Sequence, residues 1–345
     1  MLIAGDIGGT KTSLGIYSRE KGAQQPLMER TFVSGNYESL EVILDEFLKY
    51  EHLTINRAAF GIAGPVAGSK VKTTNLPWIV SEKNIIKKLK VESAHLINDL
   101  EAIAYGVLLL TGDDLHTLNS GEKTKNGTVG IIAPGTGLGE AFLTCDNSGY
   151  RAHPSEGGHA DFAPVGTVEI ELLQYLNKKY DHVSYERICS GRGIPNIYEF
   201  LRHTGYGDEP EWLAEELAGV TDITPVIVSR SFDEEKSCAL CDTTLDIFLS
   251  VLGAEAGNLA LKVMATGGVY IGGGIAPRII SSLKKASFLR AFKNKGRFSG
   301  LMERIPLHVI TNPKAALMGA AFYGLEINEQ CTHENHKKGV KHDNL

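Results

Sequence analysis

Short apolar runs alternate with glycine turns and helical stripes along this chain. Leu2 to Ala4 is an apolar run that meets Gly5-Asp6, and Ser13 to Tyr17 resumes a strand pattern, so the two read as a hairpin. Glu38 to Tyr50 carries Leu40, Ile43, Leu44, Phe47 and Leu48 at helical spacing. Ala58 to Ile62 reads as a buried strand ended by Gly64-Pro65, and Ala94 to Ile97 as another. Asp99 stands where an N-cap would open a helix over 100–110. Strands and helices thus alternate over roughly the first 110 residues, the sign of an α/β sheet.

The pattern then repeats. After a loop with Gly112, Gly121 and Gly127, Thr128 to Ala133 reads as a strand, Pro134 to Gly139 as a glycine loop and Ala141 to Thr144 as a strand. Residues 166–265 read mostly as helix. A third glycine stretch, Gly272-Gly273-Gly274, follows the strand Val269 to Ile271, and Pro277 suits the first turn of a helix behind it. From Asn328 the chain turns polar and reads as a disordered tail over 328–345.

Composition narrows the classes. A chain of 345 residues suits two lobes. A net charge of −6 argues against general binding to nucleic acid, which needs a basic surface. No run approaches the roughly 18 consecutive apolar residues of a membrane helix. The N-terminus meets a carboxylate and glycines at once, unlike a signal peptide. Five scattered cysteines fit free thiols in a reducing cytosol, so the predicted location is cytoplasmic. Cys238 and Cys241 have metal-like spacing but no second pair beside them, which favours incidental thiols.

Five motifs could carry chemistry. In Gly5-Asp6-Ile7-Gly8-Gly9-Thr10-Lys11-Thr12, backbone N–H groups and the Thr10 and Thr12 hydroxyls could cradle phosphate, and Asp6 could hold a magnesium ion through water. A Walker loop is excluded, because Thr10 replaces its glycine and a strand follows. Gly135-Thr136-Gly137 also joins two strands, which disfavours a dinucleotide site. Gly273 and Gly274 stand at a strand–helix junction, where adenine or a close helix could pack. Asn98-Asp99 puts a carboxylate at a helix start, where the dipole would favour the anion and lower its basicity. Glu156-Gly157-Gly158-His159-Ala160-Asp161 offers a carboxylate and an imidazole to a polyol. With His153 it also reads as a metal spacing, against which Pro154 and the paired glycines argue. Glu186 by itself reads as a solvated helix charge.

The order of these motifs resembles the bacterial glucokinase family of the hexokinase/actin superfamily, outside its ROK branch, over residues 2–327. Ala315 to Ala321 resembles that family's closing helix. The resemblance implies an α/β, two-lobed actin-like ATPase (ribonuclease H-like) fold with a central cleft that closes on sugar. The lobes would be 1–110 plus 311–327 and 111–310. It implies ATP-dependent phosphorylation of glucose at its 6-hydroxyl, with Asp99 as base. Asn98, Gly137, Glu156, His159 and Glu186 would serve glucose. Gly5 to Thr12, Gly135, Thr136, Gly273 and Gly274 would serve Mg·ATP. A homodimer without nucleic-acid or membrane partners is implied too. Residues 160–188 contain no cysteine, so the zinc cluster of ROK kinases is not expected. A kinase for mannose, fructose or an amino sugar is the near alternative. A non-catalytic sensor is the distant one, disfavoured by the presence of Asp99.

Overall fold

The computed structural model describes residues 1–50, 53–233, 235–284 and 286–327. The expected tail at 328–345 lies outside them, as does Cys331. Along the chain run β1 (Leu2–Ile7), β2 (Lys11–Tyr17), β3 (Met28–Val33), α1 (Leu40–Leu48), β4 (Arg57–Ile62), β5 (Val66–Ala67), β6 (Lys70–Lys72), β7 (Ile79–Ser81), α2 (Glu82–Leu89), β8 (Ser93–Asn98) and α3 (Asp99–Val107). Next come β9 (Leu115–Asn119), β10 (Val129–Pro134), β11 (Leu138–Asp146), β12 (Gly149–Ser155), α4 (Thr167–Leu176), α5 (Ile194–His203), α6 (Glu211–Ala218), α7 (Thr224–Arg230) and α8 (Ala239–Val263). The rest are β13 (Gly268–Ile271), α9 (Ile280–Leu283), α10 (Ala286–Lys293), α11 (Ser299–Arg304), β14 (Leu307–Ile310) and α12 (Ala315–Phe322). They fall into two compact units.

Of the described residues, unit 1 holds Met1–Leu115, Ala141–Pro154 and 312–327. Its main sheet has the order β3-β2-β1-β4-β8. β1, β4 and β8 are parallel, in the register Ile7↔Ile62↔Asn98. Parallel strands covered on both faces need continuous apolar runs, which is why these segments lack strict alternation. Ile43, Leu44 and Phe47 of α1 bury the predicted helical stripe against Ile3, Leu14 and Phe60.

Helices α3 and α12 cross at unusually close range. A Cβ on Gly319 would collide with the Ala102 carbonyl, and one on Gly106 with the Ala315 carbonyl. The small residues Ala315, Ala316, Ala320 and Ala321 continue this seam.

The segment Ala141–Pro154 belongs to unit 1, not to the 111–310 lobe expected from sequence. One tie is visible: the Tyr105 hydroxyl of α3 accepts a 3.1 Å hydrogen bond from the Ala152 N–H. Unit 2 holds His116–Glu140 and Ser155–Thr311. Within it β10, β13 and β14 are adjacent parallel strands. By length and mean hydropathy α8 could cross a bilayer, yet 78% of its most apolar window is buried. It is the central helix of unit 2, among Phe200 of α5 and Phe288 and Phe292 of α10.

Candidate active site

In unit 1 three parallel strands end side by side. Asp6 sits beside Gly61 in the ladder, and Asn98 closes β8. The carboxyl ends of parallel strands are where ligands of open α/β sheets collect. Gly61 admits α3: a Cβ there would lie 2.6 Å from the Ala102 Cβ.

The cap of α3 is Asn98, not Asp99 as expected. Asn98 Oδ1 accepts from the Leu100 N–H at 2.9 Å, and the Asn98 N–H donates to Glu101 Oε2 at 3.0 Å. Asn98 Nδ2 also donates to the Gly64 carbonyl at 3.2 Å. This reciprocal box fixes the turn, and Asp99 becomes the first helical residue.

The expected loss of basicity at Asp99 is reversed. Burial, and then the charge of Asp6, push its carboxyl up to about 7, against the lowering hydrogen bonds of Leu100, its own N–H and Asn98. Burial likewise raises Asp6 to about 6, although Lys11 pulls it down. Both side chains keep some exposure, so ligands can reach them. Desolvation outweighs the helix terminus here, as it does at many tuned carboxylates.

The first glycine turn divides its labour. Gly8, Gly9, Thr10 and Lys11 lie at the surface. The Gly8 N–H donates to the Lys11 carbonyl at 2.9 Å. Thr12 is fully buried and its hydroxyl pairs with Ser34 Oγ at 3.0 Å, while Ser34 Oγ donates to the Gly8 carbonyl at 2.9 Å. Thr12 therefore braces the turn from beneath and does not face phosphate. Ile7 is core, and Gly5 leaves room for Phe60 and Leu14 inside the sheet. Of the predicted phosphate run, the geometry leaves Asp6 and Gly8 to Lys11 facing outward.

In unit 2 the second glycine turn is cross-braced. The Gly135 N–H donates to the Gly137 carbonyl at 2.8 Å, and the Gly191 N–H to the Gly135 carbonyl at 2.7 Å. Gly273 has φ +78°, and a Cβ on it would strike the Pro134 carbonyl, so the third glycine stretch packs against the end of β10. Gly274 faces open space. A 3₁₀ turn, Ala276–Ile279, precedes the short α9, with Pro277 in its opening.

Glu186 is not the solvated helix charge that its local sequence suggests. It lies in the 3₁₀ turn Tyr185–Arg187, and its Oε2 accepts from the Leu138 N–H at 2.9 Å. A Cβ on Gly137 would overlap that same oxygen. Gly137→Ala should therefore push Glu186 off Leu138. Losing a charged hydrogen bond of this kind should destabilise the fold by about 1.5–3 kcal/mol. Denaturant unfolding checks this, and an unchanged stability would contradict it.

Glu156 precedes and His159 ends the 3₁₀ turn Gly157–His159; both are exposed, with Glu156 Oε2 4.0 Å from His159 Nε2. His153, the third member of the metal-like spacing, is engaged in β12: its ring stacks on Phe142 and its Nε2 meets Thr144 Oγ1 at 2.8 Å. Cys238 and Cys241 are buried free thiols at the start of α8, and burial pushes the Cys241 thiol upward, away from the thiolate a metal requires. Sequence reasoning missed Ser34 and Gly61, which support the Gly8 turn and the start of α3 in unit 1, and Glu140, which lies against Gly157 in unit 2. A carboxylate inside an alternating strand was the available signal for Glu140.

Twin strand–glycine–strand hairpins on two α/β units, with carboxylates at their edges, define a sugar kinase of the actin-like ATPase fold. A ROK glucokinase from Streptomyces griseus shares that fold at a TM-score of 0.60 and 19% identity. More particularly, the chain belongs to the glucokinase family, whose model matches residues 3–327. It is 40% identical over 334 residues to a glucokinase of Trichormus variabilis, covering 93% of this chain and 98% of that one. A Synechocystis glucokinase is 38% identical over 341 residues, covering 92% and 96%. A glucokinase structure from an Antarctic psychrotroph matches at a TM-score of 0.78 with 30% identity, over 96% and 98% of the two chains.

Proposed function

We propose that this protein transfers the γ-phosphoryl group of ATP to the 6-hydroxyl of glucose, with Asp99 as the base. The observation that carries the reading is a carboxylate of near-neutral basicity at the end of β8, in a chain of the glucokinase family. Such a group is half ionised near neutral pH, where it can both receive and release a proton.

Asp99 accepts the hydrogen bond of the 6-hydroxyl and aims that oxygen at the γ-phosphorus. The O6–P bond forms as the bond to the β-phosphate oxygen breaks, and the O6 proton passes to the Asp99 carboxylate. The transition state is loose, so positioning and charge neutralisation dominate over proton removal. Asn98, Glu156, His159 and Glu186 hold glucose hydroxyls. Gly9 and Thr10, with Thr136 and Gly137, present N–H groups to the phosphates, and Lys11 presents a cation. Gly273 and Gly274 border adenosine.

Magnesium fits Asp6. Among the described residues no hydrogen bond reaches the Asp6 carboxylate, and a hard oxygen donor with unmet charge suits this ion. Bound with ATP, it would offset the negative charge of the phosphates. A cytoplasmic setting belongs to the same proposal, supported by the free thiols of Cys145, Cys189, Cys238 and Cys241.

The test is ADP release with Mg·ATP against glucose, mannose, fructose, galactose and N-acetylated amino sugars, with a no-sugar control. Turnover confined to glucose is expected. Chelating magnesium should abolish it, and returning magnesium should restore it. Preference for another hexose would move the specificity, and silence with every sugar would overturn the enzyme reading.

A further inference from the structure

Beneath the Glu156–His159 turn lies a buried pair of acids that the proposed chemistry does not use. Glu140 of β11 is 2% exposed and Glu255 of α8 is 0% exposed. The Glu140 Oε1 atom is buried without a hydrogen-bond partner. Its other oxygen occupies the space that a Cβ on Gly157 would need, so the carboxyl rests directly on the turn. The next contact is of the same kind: a Cβ on Gly158 would strike the Leu138 carbonyl, two residues before Glu140. Leu138 also donates its N–H to Glu186. Leu138 to Glu140 is thus a floor under Glu156, His159 and Glu186 together.

Charge decides the state of that floor. Glu255 accepts from Lys262 Nζ at 3.1 Å and from Asn258 Nδ2 at 2.9 Å. Lys295 bonds to Asn258 Oδ1 and the Ala254 carbonyl, and its charge is felt at Glu255. From the 3₁₀ turn Tyr185 faces Glu255, and Cys189 just after it feels both acids as well as Glu169. Among the described residues, Lys262 is the one cation whose charge acts on both acids in this cluster, against two carboxyls. Two buried anions sharing so little positive charge would repel strongly, so one carboxyl keeps its proton.

We propose that Glu140 is a positioning residue for the sugar-binding turn: as a neutral carboxyl bonded to Glu255 it seats Gly157, and its ionisation unseats the turn and weakens glucose binding. The inference rests on Glu156 and His159 being glucose ligands. Burial, then the charge of Glu255, push Glu140 up to about 8, with Lys262 opposing. The seated form therefore prevails below that pH and is lost above it.

The experiment is glucose binding by calorimetry, with KM and kcat for glucose, from about pH 7 to about pH 9.5. In the wild type, Kd and KM for glucose should rise about 5-fold or more across that range, with kcat following a separate profile. Glu140→Gln keeps the shape and the donor but cannot ionise, so its Kd and KM should stay flat. Glu140→Ala should raise KM by about 10-fold even at neutral pH, with kcat within about 2-fold. If it fails to fold, the glutamine variant and the wild-type profile decide alone. Identical alkaline profiles for wild type and Glu140→Gln would overturn the proposal. Glu156→Gln separates the two levels. If it leaves KM unchanged, the glucose-ligand reading fails. If it raises KM while both Glu140 variants bind as wild type at every pH, only the role of Glu140 fails.

Discussion

Asp99→Asn should lower kcat at least ~100-fold while leaving the glucose Kd within about 3-fold of wild type. Asparagine can still sit at the first turn of α3, and the Asn98–Glu101 box that fixes that turn is untouched. It can orient the 6-hydroxyl but cannot take its proton. Turnover near the wild-type value would remove Asp99 from the role of base. The free enzyme should also show kcat/KM rising through about pH 7, as the carboxyl ionises. That limb should vanish in the asparagine variant.

Stability should move in the opposite sense. An acid whose folded-state value is raised holds its proton longer when folded than when unfolded. Between about pH 4 and about pH 7 the native state therefore binds more protons, and stability falls as pH rises. Asp99→Asn removes part of that loss, so at pH 8 it should unfold later than wild type, by on the order of 1 kcal/mol. Denaturant titrations at about pH 4 and about pH 8 measure the difference directly. A site that destabilises the fold at working pH is the pattern of a functional carboxylate, not a structural one.

The division of the chain into strands and helices was largely legible, because period and glycine punctuation are local properties. The hairpin around Gly8-Gly9 and the strand-end position of Asp99 needed no tertiary information. What stayed hidden depends on neighbours far along the chain. Thr12 looked like a phosphate ligand, until Ser34 from the next strand end was seen to occupy its hydroxyl. Asp99 looked like a weak base, since a helix start stabilises an anion. Burial and Asp6, 93 positions away in sequence, reverse that sign. Glu186 looked solvated because its partner is a backbone amide at Leu138. Glu255 was the exception that could have been noticed, an acid in the apolar stretch Gly253-Ala254-Glu255-Ala256.

The largest loss of stability should come from a residue with no chemistry at all. Gly319→Ala adds one carbon where the Ala102 carbonyl and the Gly106 amide already stand. Both are backbone atoms inside α3, so neither can swing aside as a side-chain tip would. The helices must separate, and the seam of alanines opens with them. The expected destabilisation exceeds ~4 kcal/mol, in the range reserved for severe overpacking. Helix propensity pulls the other way by only about 1 kcal/mol, since alanine is the better helix former. Gly300→Ala isolates that smaller term: it lies in α11 and its new Cβ meets nothing within 4 Å. That variant should gain about 0.5–1 kcal/mol. Because α3 begins at Asp99, any folded Gly319→Ala protein should also lose kcat. Denaturant unfolding and single-turnover kinetics on both variants decide the matter. A Gly319→Ala protein within about 1 kcal/mol of wild type and fully active would show that the α3–α12 seam does not set the position of Asp99.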